Sequence, residues 1–154
     1  MVLQLLPKHL QTMSAHAETT YPEECCGIIL GYLTSEGKTV VEVMPTENAW
    51  NAETAADLSG DDTLDYSKRQ RYAIASQVML QAQKQARDRQ LNIIGIYHSH
   101  TDHPAIPSEY DQKLAWQEYS YIIVSVHNGK ASDMKSWTLD DNHQFQQEVI
   151  EKLG

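Results

Sequence analysis

Residues 91–111 read LNIIGIYHSHTDHPAIPSEYD, and this stretch decides both the fold and the chemistry. Its first part, residues 91–97, is rich in β-branched side chains and predicts a buried strand. His98 and His100 stand two residues apart at the end of that strand. Because side chains alternate along a strand, both imidazoles share one face, and Ser99 faces the opposite side in a packing role. Two neutral imidazoles on one face are natural zinc ligands.

A third ligand is needed for a metal site, and Asp111 is the best candidate. Asp102 and His103 are nearer in sequence, but a loop containing two prolines intervenes. Ser108 follows the second proline and is predicted to be a helix N-cap, with Asp111 at the third helical position, as in a capping box. Two histidines and one aspartate leave a fourth tetrahedral position open for water, which is typical of a catalytic zinc site. Taken singly, a His-x-His pair is a weak signal, and Ser108 with Asp111 indicates only a helix start.

Hydrophobic patterning along the rest of the chain predicts a mixed α/β (α+β) fold, with one central β-sheet flanked by helices. The 154 residues suit a single domain, 1–154. Predicted strands cover residues 25–33, 39–44, 91–97, 119–126 and 134–139, and residues 2–6 form a strand or a helix lead-in. Predicted helices cover residues 8–19, 76–90, 108–118 and 144–153. The strand at 25–33 is apolar almost throughout and holds two glycines, which indicates two buried faces and a close approach of neighbouring groups.

The composition of the sequence changes at about residues 46–66. This segment contains many Asp and Glu residues, no Lys or Arg, and no clear hydrophobic period. It is therefore predicted to be a long acidic loop, and loops of this length in compact domains are often functional or disordered. The favoured interpretation is a solvated surface loop, and the alternative is a loop that shapes or gates a substrate site.

The charge balance disfavours two classes of function. With 21 acidic against 12 basic residues, the formal net charge is -9. This charge argues against nucleic-acid binding through phosphate contacts and against binding to an anionic membrane surface. A basic protein partner or a metal cation is compatible with it.

Cys25 and Cys26 are the only cysteines, and they are adjacent. Since neighbouring cysteines rarely bridge each other, we expect no internal disulfide, two buried core thiols and a reducing compartment. The N-terminal segment has no basic region followed by a long apolar run, so no signal peptide is expected. No apolar stretch reaches the length of about 18 residues that a transmembrane helix needs. We therefore expect a cytoplasmic protein.

The spacing of the polar residues resembles a known motif. His-Ser-His, seven residues, Ser, two residues and Asp, at His98, His100, Ser108 and Asp111, is similar to the JAMM motif of the JAB1/MPN/Mov34 metallopeptidases. That family also has a glutamate just before an apolar strand, and residues 22–31 (PEECCGIILG) place Glu24 there, with Glu23 as the alternative. The resemblance is to the small bacterial members, of the CysO-cysteine peptidase type, and covers nearly the whole chain.

The resemblance implies a single MPN/JAMM-like domain, cytidine deaminase-like in fold, with the activity of a zinc-dependent peptidase or isopeptidase. One zinc ion per chain, with a bound water, would be held by His98, His100 and Asp111. Glu24 would carry the proton from water to the leaving amine, and Ser108 would donate a hydrogen bond to the developing oxyanion. The implied substrate is the C-terminal tail of a ubiquitin-like sulfur-carrier protein, lying along a sheet edge and releasing cysteine.

Two other functions stay open at this point. A non-catalytic MPN scaffold is disfavoured because all the motif positions and the glutamate are present. A zinc hydrolase acting on a small amide is compatible with the acidic composition. A homodimer is also kept as an alternative to a monomer.

Overall fold

The computed structural model of the chain describes residues 2–50 and 67–154, so most of the expected acidic loop lies outside the described residues. The strands are β1 (Val2–Leu5), β2 (Cys26–Thr34), β3 (Gly37–Thr46), β4 (Asn92–Thr101), β5 (Ser120–His127), β6 (Lys130–Leu139) and β7 (Phe145–Lys152). The helices, numbered here in chain order, are α1 (Pro7–Thr20), α2 (Ser76–Asp88) and α3 (Glu109–Leu114). The mixed α+β fold with few helices around one sheet is confirmed.

The seven strands form a closed barrel in the order β1-β3-β2-β4-β5-β6-β7. Strand β1 closes it by pairing in parallel with both β3 and β7. Strand β4 lies between β2, its antiparallel neighbour, and β5, its parallel neighbour. Strand β4 is paired with β2 over residues 92–98 and with β5 over residues 95–101, so His98 lies in both ladders and His100 lies in the ladder with β5.

Both faces of β2 and β4 are covered, as the apolar runs predict. One core cluster contains Ile29 and Ile94 from these strands and packs against Met13 and Ala17 of α1. The other face of the same strands contributes a second cluster that packs against α2, formed by Ile28, Leu30, Ile96, Ala82 and Ala86. Consecutive residues of β2 enter different clusters, and β4 contributes to both clusters, which explains why the runs are apolar without alternation.

The glycine in β2 next to the cysteines confirms a close approach. A Cβ at Gly27 would collide with the ring of Tyr97 on β4, whose side chain is fully buried. Tyr97 directly precedes His98, so the missing side chain of Gly27 lets the ring pack where it fixes the strand beside the histidine.

The segment predicted as a C-terminal helix, residues 144–153, is instead the strand β7, and that prediction is wrong. A helix would place Val149 on one side with Phe145 and Ile150, but in the barrel Val149 is 63% exposed and Glu148 is 4% exposed. Ser136 Oγ on β6 donates a hydrogen bond of 2.8 Å to Glu148 Oε1, which satisfies part of the buried carboxylate. Pairing with β6 and β1 overrides a local composition of Gln and Glu that favours a helix.

The helix predicted at 108–118 is shorter than expected. It ends at Leu114, and Ala115 already has an extended backbone. The backbone N–H of Trp116 donates to the hydroxyl of Tyr121 at 2.7 Å, so a side chain of β5 takes up a donor that the helix does not satisfy.

No helix within residues 2–50 and 67–154 combines the length and the apolar character that a membrane span requires.

The two thiols are buried and free of any disulfide, which confirms their prediction as core residues. Burial raises the pKa of the Cys25 thiol to about 12 and that of the Cys26 thiol to about 11. Since the thiolate is the reactive form, both groups are protonated and inert at neutral pH.

We expect the native protein to resist iodoacetamide at mildly alkaline pH, because little thiolate is present and the sulfur atoms are covered. Intact-mass spectrometry should show no added mass before denaturation and two added carbamidomethyl groups after it, one on each cysteine. Rapid labelling of either cysteine in the folded protein would contradict the buried environment.

Candidate metal centre

Strand β4 brings the two predicted histidines together on one face. His98 and His100 are both buried, and their Nε2 atoms lie 3.2 Å apart. Ser99 points the other way, as expected: its Oγ accepts a hydrogen bond of 2.8 Å from the Cys25 N–H, and its own N–H donates to the Cys25 carbonyl at 3.1 Å. These bonds fix β4 against the chain directly after Glu24.

Asp111 is held toward the histidines by a capping box at the start of α3. Ser108 is the N-cap, and its Oγ accepts a hydrogen bond from the Asp111 N–H at 3.0 Å. Asp111 Oδ2 in return accepts from the Ser108 N–H at 2.9 Å. The same Oδ2 lies 3.2 Å from His100 Nε2 and 3.4 Å from His98 Nε2. The predicted N-cap is confirmed, and one carboxylate oxygen serves both the helix and the histidine pair.

The three atoms fit a tetrahedral metal ion. His98 Nε2, His100 Nε2 and Asp111 Oδ2 are separated by 3.2, 3.2 and 3.4 Å. Zinc bonds of about 2.0–2.2 Å at tetrahedral angles require ligand atoms about 3.3–3.5 Å apart. Within the described part of the chain, this is the group of His, Cys, Asp and Glu side chains whose ligand atoms converge in this way.

The hydrogen bonding of His100 leaves the correct nitrogen available. His100 Nδ1 lies 2.9 Å from the carbonyl oxygen of Pro104, which can only accept, so Nδ1 carries the proton and Nε2 presents a lone pair. For His98, burial is the main cause that lowers the pKa of the ring, against the opposing effect of Asp111. A low histidine pKa favours the neutral imidazole that binds metals.

The charge state of Asp111 also suits a ligand. Burial alone would raise the pKa of this carboxyl group, but the adjacent rings of His98 and His100 hold it well below its ordinary value. Asp111 is therefore ionised at neutral pH, and the carboxylate is available to a cation.

The two nearer alternatives for a third ligand lie outside the cluster. Asp102 is exposed and occupied elsewhere: its Oδ2 accepts from the Tyr21 hydroxyl at 2.7 Å and its Oδ1 from the Asn128 N–H at 2.9 Å. His103 is exposed as well.

Glu24 lies at the entrance to β2 and is only 6% exposed, whereas Glu23 is exposed. Its backbone N–H donates to the Lys68 carbonyl at 2.8 Å. Burial is the largest cause that raises the pKa of the Glu24 carboxyl well above its usual range; the charge of Asp111 adds to it and Arg71 opposes it. Of the two glutamates, Glu24 is the buried one, and its raised pKa gives it the environment of a proton acceptor at a functional site.

Tyr72 is a site residue that sequence reasoning missed. Its ring is stacked on His98, with centroids 4.4 Å apart and an angle of 20° between the planes. It precedes α2 in a segment that belongs to no strand or helix, so no periodicity marked it. Within the described residues His98 Nδ1 has no hydrogen-bond partner, which makes this stacking an important support for the ring.

A cavity of about 580 Å³ adjoins Asp111 and was also missed. Its lining is mainly apolar and aromatic and includes Tyr72, Met79, Ile96, Tyr110, Trp116 and Tyr121. These residues come from α2 and the chain before it, from β4 and β5, and from α3 and its end, which share no local sequence pattern. Asp111 of the metal cluster therefore borders a space large enough for a peptide segment.

The model of the prokaryotic homologs of the JAB domain matches residues 6–140. This chain belongs to that family. Among curated proteins, the CysO-cysteine peptidase of Mycobacterium tuberculosis is 28% identical over 91% of this chain and 84% of its own length. The desampylase of Haloferax volcanii is 29% identical over 78% of this chain and 73% of its own.

Solved structures agree with this family fold. A protein from Desulfitobacterium hafniense matches with a TM-score of 0.75 and 28% identity, covering 98% of this chain and 94% of that one. A JAB1/MPN domain protein from Archaeoglobus fulgidus matches with a TM-score of 0.56 and 14% identity, covering 99% and 97% of the two chains. The second likeness concerns the fold alone.

Replacing Asp111 with asparagine should weaken the binding of Zn²⁺ by more than the roughly 10–100-fold that changes to outer-shell partners cost. The amide keeps the size of the side chain but loses the negative charge. A competition titration with a chromogenic chelator measures the affinity. Asp88→Asn, an exposed change at the end of α2, is the matched control and should bind as the wild type does. Equal zinc affinity in the Asp111 variant would contradict the ligand set.

Proposed function

We propose that this JAB-domain protein is a zinc-dependent peptidase or isopeptidase that cleaves an amide bond at the C-terminal tail of a ubiquitin-like sulfur-carrier protein, releasing cysteine. The observation that carries the proposal is the triangle of His98 Nε2, His100 Nε2 and Asp111 Oδ2 at 3.2–3.4 Å, with the buried Glu24 carboxyl beside it. The names of the two curated relatives, a peptidase and a desampylase, support a hydrolase of this kind.

Zinc held by the three ligands would supply a Lewis acid and make hydroxide available near neutral pH. Glu24 is proposed to take the proton of the attacking water and then to deliver it to the leaving amine. Its raised pKa suits this exchange, because burial makes the carboxylate a stronger base than an exposed one.

Ser108 is proposed to stabilise the oxyanion. Its Oγ already accepts the Asp111 N–H, and a serine hydroxyl has one proton to donate in addition to its lone pairs. The hydroxyl can therefore cap α3 and donate to substrate at the same time. A single oxyanion donor of this type is typically worth about 10²–10³-fold in rate.

The expected mode of tail binding needs revision. Every strand of the barrel in the described chain has a hydrogen-bonded neighbour on both sides, so the barrel offers no strand edge for addition of a further strand. The proposed place for the tail is the aromatic cavity beside Asp111. Its volume of about 580 Å³ falls within the range of about 300–1,000 Å³ that is typical of ligand pockets.

The direct test is intact-mass spectrometry of ubiquitin-like sulfur carriers that carry a C-terminal Gly-Gly-Cys extension. Incubation with the zinc-loaded protein should remove the mass of one cysteine residue, and a zinc chelator should prevent the loss. If stoichiometrically zinc-loaded protein leaves all carriers intact, the carrier hypothesis is wrong for those partners. Cleavage of free dipeptides alone would favour the small-amide hydrolase, and no cleavage at all would favour the scaffold.

The role of Glu24 can be tested against its neighbour. Glu24→Gln should retain zinc and lower carrier cleavage by at least about 10²–10⁴-fold, because the amide cannot accept the proton. Glu23→Gln alters an exposed side chain one position away and should cleave at the wild-type rate. Rates from a quenched time course, with zinc content measured in parallel, separate loss of the base from loss of the metal. Normal cleavage by Glu24→Gln would exclude this glutamate as the proton carrier.

A further inference from the structure

Asn48 occupies a central position behind the site although it faces no substrate space. It lies just after β3 and is 8% exposed. Its Nδ2 donates to the carbonyls of Glu24 at 2.9 Å and Arg71 at 3.0 Å. Its Oδ1 accepts the N–H groups of Trp50 at 3.0 Å and Ala73 at 3.2 Å. A side-chain amide has two protons and two lone pairs, so the hydrogen-bonding capacity of Asn48 is fully used.

These four bonds join three separate parts of the chain. One is the residue that enters β2, the second is the segment 48–50, and the third is the segment 67–73. Two backbone bonds run alongside: the Glu24 N–H donates to the Lys68 carbonyl at 2.8 Å, and the Ala49 N–H donates to the Ala73 carbonyl at 2.9 Å. The Asn48 amide contacts all three parts and holds them in register.

Two of the three parts that Asn48 holds carry a side chain of the site. The first carries the Glu24 carboxyl. In the third, the amide binds the residues on either side of Tyr72, whose ring stacks on His98 at 4.4 Å. A shift of this segment would move the aromatic ring that supports one histidine, and a shift at Glu24 would move the carboxyl group.

We propose that Asn48 is a positioning residue of the site: it sets the Glu24 carboxyl and, through Tyr72, the ring of His98. The expected effect of Asn48 on metal binding rests on the ligand set of His98, His100 and Asp111. Its expected effect on catalysis rests on the proposed function. A purely structural role predicts loss of stability alone, whereas a positioning role predicts changes at the metal and in turnover as well. Changes to partners outside the ligand shell typically cost about 10–100-fold in metal affinity or activity.

The test compares Asn48→Ala and Asn48→Asp with the wild-type full chain. The aspartate keeps the size of the side chain and its acceptors but loses both donors, so the Glu24 and Arg71 carbonyls face a carboxylate. Asn48→Asp also provides a second variant if Asn48→Ala fails to fold. Ser136→Ala is the control. Ser136 is also buried, and its substitution removes a 2.8 Å hydrogen bond to Glu148 on the barrel wall that does not involve the site.

Three readouts are measured on each protein after circular dichroism shows a folded chain. They are Zn²⁺ affinity by chelator competition, the visible d–d spectrum with Co²⁺ in place of zinc, and kcat and KM for a carrier with a Gly-Gly-Cys end. Both Asn48 variants should lose about 10–100-fold in zinc affinity or kcat and show an altered cobalt spectrum. A change in KM is also compatible with the positioning role, because Ala49, Tyr72 and Ala73 of the held segments line the cavity. Ser136→Ala should lower the Tm alone.

Folded Asn48 variants with a lower Tm but wild-type zinc affinity, cobalt spectrum and kcat would overturn the proposal. An equal effect of Ser136→Ala on the metal readouts would also overturn it, since the effect would then be a general loss of stability. If the wild type cleaves no carrier, the proposed function fails by itself, and an altered cobalt spectrum in the Asn48 variants still supports the positioning role.

Discussion

The alternation of side chains along β4 is the constraint on which the rest of the site depends. Tyr97 and Ser99 point to one side and pack against Gly27 and Cys25, while His98 and His100 point to the other. Because His98 pairs with both β2 and β5, and His100 pairs with β5, the backbone of β4 cannot rotate to turn the two histidines to the other face without breaking these ladders. A slip of one residue in register would exchange the two faces and bury the histidines in the apolar core. The barrel is thus the rigid frame on which the proposed chemistry is built.

Asp111 couples the folding of α3 to the metal cluster. The same Oδ2 atom accepts the Ser108 N–H and lies within 3.4 Å of both histidine nitrogens. The carboxylate completes the capping box of the short helix α3 and also belongs to the metal cluster. Burial would raise its pKa, but the adjacent histidine rings lower it. The Glu24 carboxyl behaves differently: burial and the charge of Asp111 raise its pKa, and Arg71 offsets this rise only in part. The pKa values of two carboxyl groups near one centre are therefore shifted in opposite directions, which suits different roles in acid–base catalysis.

The residues of the cluster could be predicted because their geometry is local. A strand period of two aligns His98 with His100, and a capping box orients Asp111, so a stretch of 14 residues from 98 to 111 contains the whole triangle. Asn48 and Tyr72 could not be found in this way. They stand in segments without helix or strand and reach the site across separations of 24 and 26 residues, from Glu24 to Asn48 and from Tyr72 to His98. Such contacts are set by the tertiary fold and leave no periodic signal.

Closure of the barrel explains why the segment predicted as a C-terminal helix is a strand, and it limits how the site can be reached. Residues 145–152 have side chains that suit a helix, yet as β7 they supply the ladder between β6 and β1 that removes the last open edge. The buried Glu148 that this requires accepts a hydrogen bond from Ser136. No strand in the described part of the chain is left as an edge strand. The proposed peptide substrate would therefore reach the metal cluster along the segment before α2 and the end of α3, which line the cavity. The barrel thus fixes the ligands, and the connecting segments determine which substrate reaches them.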